Sequence, residues 1–132
     1  MFIQNLNNEQ QAVLLELCEQ IILADDNGVD SAEEQMMKVI QAQCNTGVTR
    51  KSVEKAGIIK LFDTDLAKCS LLLELLGIAY ANNDYHSKQA IFIKEYAELL
   101  SITPAKLVML EYWIKEQFLL MEKINLLINN NF

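Results

Sequence analysis

Leu23-Ala24-Asp25-Asp26-Asn27-Gly28-Val29-Asp30-Ser31-Ala32-Glu33-Glu34 joins two helical hydrophobic patterns through a short cluster of carboxylates. Upstream, Val13, Leu14, Leu17, Ile21 and Ala24 recur at helical spacing while Glu16, Glu19 and Gln20 form a polar stripe, which reads as an amphipathic helix capped by Asn7 or Asn8. Downstream, Ser31-x-x-Glu34 has capping-box spacing and opens a second helix that ends near Cys44, before Asn45-Thr46-Gly47. Helix, polar turn, helix is a hairpin.

The rest of the chain extends that plan. A third helix is expected from Thr49 to Phe62, and Asp63 or Thr64 caps a fourth that reaches Ala81. The fourth is apolar almost all round, as the central element of a bundle should be. Asn82-Asn83-Asp84-Tyr85-His86 forms a loop, and Ser87 caps a fifth helix to Leu100. Thr103-Pro104, an N-cap with proline in the first helical position, launches a last helix of some 25 residues, roughly 37 Å long. Leu14-Leu15-Glu16-Leu17 returns as Leu72-Leu73-Glu74-Leu75, each copy followed by a polar loop and a further amphipathic helix. The expected architecture is one all-α domain over residues 1–132, a bundle of five to seven helices built from two related hairpins with a long C-terminal helix.

Composition narrows the function classes. A chain of 132 residues that is 52% hydrophobic can bury a real core without disulfides or structural metal, and four Gly with one Pro favour long helices. The first 37 residues hold eight acids and no bases, whereas the other 95 hold ten acids and eleven bases, so the net charge of −7 is an N-terminal property. That balance, with Arg50 as the single arginine, argues against nucleic acid, whose phosphates call for a basic patch. Cys18, Cys44 and Cys69 are widely spaced, odd in number and without C-x-x-C, as in a reduced, cytosolic protein. Met1 to Asn8 lacks the regions of a secretory signal, and the apolar run Leu71 to Ala81 is too short for a transmembrane segment, which needs about 20 residues.

Asp25, Asp26, Asp30, Glu33 and Glu34 supply oxygen ligands of the kind that hard cations such as calcium or magnesium take. The loop is not an EF-hand: counted from Asp25, glycine stands fourth instead of sixth, and the twelfth residue is Met36 instead of glutamate. The competing reading assigns Asp30 or Ser31 to capping, Glu33 and Glu34 to the positive end of the helix dipole, and Asp25 and Asp26 to a solvated turn. His86, the only histidine, excludes multi-histidine zinc or di-iron sites and reads as a loop residue. Ser70, Glu74, Gly77 and Ala81 share one face of the fourth helix, which reads as a partly solvated stripe or as the frame of a buried carboxylate.

In the last helix Leu107, Leu110, Ile114, Gln117, Met121, Ile124 and Ile128 alternate three- and four-residue steps, the seam of a coiled coil with one polar interruption. Trp113, Leu120 and Leu127 add a neighbouring stripe. Such a helix buries more than one side, either packed on the bundle throughout or with its part beyond Lys115 in a homodimer or partner contact.

The chain resembles the TerB-like family of bacterial helical domains, associated with tellurite resistance and related stress systems. The resemblance lies in an apolar helix ending in alanine, an acidic turn with glycine, and a helix with glutamate in its first turn. Here these are Ala24-Asp25-Asp26-Asn27-Gly28-Val29-Asp30-Ser31-Ala32-Glu33-Glu34, with a looser copy Ala81-Asn82-Asn83-Asp84-Tyr85-His86-Ser87-Lys88-Gln89 that lacks the glycine and the trailing glutamate. It covers roughly residues 6 to 115 and implies an all-helical fold and a divalent cation at the acidic loop. The expectation is a non-catalytic binding or scaffold module. The alternatives are a metal-dependent hydrolase with Asp25, Asp26 and Asp30 on the cation and Glu74 as base, or a purely structural dimerisation domain.

Overall fold

Six α-helices follow a single amino-terminal turn of 3-10 helix, Ile3–Asn5, in a computed structural model that describes residues 2–24, 31–81 and 87–129. They are α1 (Asn8–Leu23), α2 (Ser31–Gln43), α3 (Lys55–Leu61), α4 (Asp65–Ala79), α5 (Ser87–Leu99) and α6 (Pro104–Asn129), with no strand among the described residues. The fold is therefore the expected all-α bundle with a long C-terminal helix.

Local signals set the helix starts. The Asn7 side chain accepts from the Gln10 N–H at 2.8 Å while Gln10 Oε1 accepts from the Asn7 N–H at 2.9 Å, a reciprocal capping box that satisfies two orphan donors. Thr64 and Thr103 do the same work singly, accepting from the Ala67 and Lys106 amides at 3.1 and 3.2 Å. α5 ends where Ser101 takes φ 60°, and the Ile102 N–H then reaches back to the Ala97 carbonyl at 2.8 Å. This left-handed cap lets the buried Ile102 close the helix end, one residue before Thr103 starts the next.

α4 forms the centre, packing against α1, α2, α5 and α6. Leu71, Leu72, Leu75, Leu76 and Ile78 are fully buried, each contributing about 1.5–3 kcal/mol. α1 with α2, and α4 with α5, form the two hairpins, joined chiefly through α1 against α4. Gly77 faces α2, where an added Cβ would stand 3.4 Å from the Met36 methyl.

The expected helix over Thr49 to Phe62 is present only as α3, because residues 48–54 run as a non-helical strap over α1. Partners on α1 hold the strap: the Asn45 N–H donates to Gln11 Oε1 at 2.8 Å, the Lys51 N–H to the Ala12 carbonyl at 3.1 Å, and Lys51 and Arg50 pair with Glu9 and Glu19. β-branched Val48, Thr49 and Val53 give little helix propensity to set against these bonds.

The solvated-stripe reading of Glu74 is also overturned. Its carboxylate is 4% exposed and accepts from the Phe2 N–H at 2.6 Å, while Ser70 Oγ accepts from Asn5 Nδ2 at 3.1 Å. The amino-terminal turn lies over this face of α4, and the Phe2 ring meets Trp113 of α6 edge-on at 5.5 Å. Glu16, at the same place in the first copy of the repeat, is only half-buried.

Candidate functional site

The two polar loops emerge from helix ends that one side chain ties together. Gln89, in the first turn of α5, is 1% exposed and donates through Nε2 to Glu33 Oε2 at 2.6 Å and to the Ile21 carbonyl at 3.2 Å. Glu33 belongs to the first turn of α2 and Ile21 to the last turn of α1. Both partners of Gln89 are acceptors, so only the amide NH2 can serve them. The segments 25–30 and 82–86 thus connect to helix termini that meet at a buried, hydrogen-bonded carboxylate.

A repeat relation explains the pair. α2 and α5 each begin with serine and each span 13 residues, so Glu33 and Gln89 occupy the same third position of their helices. Two carboxylates at 2.6 Å could not both ionise, whereas a carboxylate and an amide form a charge-assisted bond. The missing glutamate of the second copy is the donor to the glutamate of the first.

Of the five loop carboxylates, Glu33 turns inward and Glu34 outward. Glu34 Oε1 lies 3.9 Å from Lys38 Nζ, one turn along the same helix, with both side chains mostly in water. Successive helical residues are separated by about 100°, which sets these two glutamates on different faces of α2. Glu34 borders a shallow depression with Glu19, Leu23 and Lys38, where Glu19 already pairs with Arg50. Asp25, Asp26 and Asp30, like His86, lie outside the described residues. Among the described residues no group of three or more His, Cys, Asp or Glu is placed to hold a metal ion.

The cysteines are free, with Cys18 buried and Cys44 and Cys69 half-buried. Burial, then the field of Glu74, pushes the Cys18 and Cys44 thiols above their ordinary range, so they are poor nucleophiles.

α6 presents a second candidate surface. Its seam divides: Leu107 and Ile114 are buried, Leu110, Gln117 and Phe118 half-buried, and every residue of 119–129 is exposed. Packing of the seam on the bundle throughout is therefore excluded, and its proximal part lies against α4 and α5. Lys115 marks the boundary, its ammonium standing 5.5 Å from the centre of the Tyr80 ring at the end of α4. Burial and then Glu111 push the Tyr80 hydroxyl up to about 12, so it is neutral there. Beyond it Met121, Ile124 and Ile128 continue the seam in water, flanked by Leu120 and Leu127, with Ile128 71% exposed. No described helix is long and apolar enough to cross a membrane.

The chain matches no protein-family model, no curated protein and no solved structure.

Proposed function

We propose that this chain is a non-catalytic binding or scaffold module of TerB-like type, whose working surface is the distal face of α6. The observation that supports it is the seam itself, which packs within the bundle to Gln117 and then continues, equally apolar, with none of the described residues over it. An apolar face of this extent marks an interaction surface in a well-packed protein. On this reading Met121→Glu with Ile124→Glu leaves the thermal midpoint of dilute protein within about 3 °C of wild type, because substitutions on a solvated face stay near ±0.5 kcal/mol. A fall of 10 °C or more in calorimetry would show that the face belongs to the core and end this reading.

A second reading, a weak divalent-cation site of the kind the resemblance implies, draws support from buried Glu33. It supplies one inward carboxylate where the helix ends flanking the acidic loop meet. With Asp25, Asp26 and Asp30 it would hold calcium or magnesium, more tightly as pH rises through carboxylate ionisation. Titration with millimolar calcium should then move loop amide NMR signals, and Asp25→Asn with Asp26→Asn should abolish the shifts while the fold stays intact. Unchanged shifts in that variant would place the ion elsewhere, and none in the wild type would leave the acids as caps and solvated turn.

A further inference from the structure

Resting on the reading of distal α6 as a binding surface, we infer that its occupant is a second copy of this chain, paired antiparallel through residues 117–129 about a two-fold axis between Glu122 and Lys123.

Length argues for this occupant first. The exposed stretch starts at Leu119, just past half-buried Gln117 and Phe118, and runs to Asn129, roughly 16 Å. Antiparallel pairing of two such stretches brings the end of each helix to the place where the other enters its own bundle. Both uncovered stretches are then used in full.

The seam fixes the register. Two antiparallel helices pack in layers that alternate the two rows of the seam. One row here is Leu107, Ile114, Met121 and Ile128; the other is Leu110, Gln117 and Ile124. With the axis between Glu122 and Lys123, Met121 faces Ile124 of the second copy and Ile124 faces its Met121. Gln117 faces Ile128 of the second copy at each rim, where its amide stays in water. Leu120 lies against Leu127 of the second copy on one flank. A shift by one heptad toward the amino terminus sets Ile124 against Ile114 of the second copy, which is already buried. A shift toward the carboxyl terminus leaves Met121 without a partner.

Charge permits the contact. A chain of net −7 repels its own copy, but the acids responsible lie in the first 37 residues. Residues 115–129 carry Lys115, Glu116, Glu122 and Lys123, which balance and stand off the seam. The face is neutral and apolar, and a second copy offers the same face.

Area sets the strength. Leu120, Met121, Ile124, Leu127 and Ile128 present on the order of 500 Å² per copy, so the pair removes about 1,000 Å², the lower bound for specific association. An interface at that bound makes the dimer weak and reversible.

Sedimentation of the wild-type chain from about 5 to 500 µM should show a monomer–dimer equilibrium, and Met121→Glu with Ile124→Glu should weaken it at least 30-fold at an unchanged melting point. In a Cys44→Ser, Cys69→Ser background, Met121→Cys and Ile124→Cys chains should cross-link when mixed under mild oxidation, and much less when each is alone. A chain that stays monomeric to 500 µM overturns the inference; if the double variant then melts like wild type, the binding surface stands and serves a foreign partner. Cross-linking of Met121→Cys to itself overturns the antiparallel register, and a dimer indifferent to the glutamates overturns the surface. A double variant that unfolds overturns the module reading and the dimer together.

Discussion

Gln89→Leu is expected to lower the unfolding free energy by about 2 kcal/mol, because it takes one N–H donor from a buried carboxylate and from a carbonyl that keeps only the longer bond from the Ala24 N–H at 3.3 Å. The shape is nearly conserved, so lost packing adds little. Glu33→Leu alone should cost about 2 kcal/mol, leaving the Gln89 amide its bond to the Ile21 carbonyl. The two changes together should cost at least 1 kcal/mol less than the sum of the singles, since each removes the reason the other is costly. Urea unfolding of the four proteins measures this coupling, and additivity within about 0.5 kcal/mol would show that Glu33 and Gln89 do not depend on each other. Gln89→Glu restores the acid of the first copy and sets two carboxylates together. One of them must keep its proton, so the variant loses stability as pH rises from about 4 to 8 unless a cation joins them.

Gln11→Ala should be comparably damaging, at about 3 kcal/mol. The side chain is 1% exposed and spans three segments: Nε2 donates to the Ile3 and Leu6 carbonyls at 3.2 and 3.1 Å, and Oε1 accepts from the Asn45 N–H. Truncation leaves the Leu6 carbonyl and the Asn45 N–H seeking partners, while the Ile3 carbonyl keeps its bond from the Leu6 N–H, and it opens a void beside α1. The amino-terminal turn and the strap over 48–54 should loosen together, so amide exchange at Asn45 should accelerate by more than global destabilisation explains. A loss below 1 kcal/mol with unchanged exchange would mean that other groups take over these bonds.

Both residues show why the fold was legible and its joints were not. Asn7, Thr64 and Thr103-Pro104 act on amides within three residues of themselves, so the starts of α1, α4 and α6 are written locally. Gln11, Glu74 and Gln89 act on partners far along the chain, as in the 72-residue step from Glu74 to Phe2 and the 56-residue step from Gln89 to Glu33. Nothing in the spacing of Glu74 within α4 tells that an amino-terminal turn will cover it. The one clue for Gln89 was its place in the second copy of the repeat, where a lost glutamate marked the bonding partner of the glutamate that stayed. Thr49 to Phe62 misled for the reverse reason, since the strap is held by α1 and not by its own pattern.

The sequence by itself determined the all-helical class, the order of the helices and the position of their starts other than that of α3, because periodicity, caps and breakers work over a few residues. It also determined that α6 carries a seam too long and too apolar for one exposed surface helix. Tertiary structure alone decided that Glu33 points inward and Glu34 outward, that Glu74 is buried, and that the seam is used within the bundle only as far as Gln117. The reason is physical: a helical pattern states which residues share a face, but which face is covered, and where the cover stops, depends on neighbours brought there by the rest of the chain.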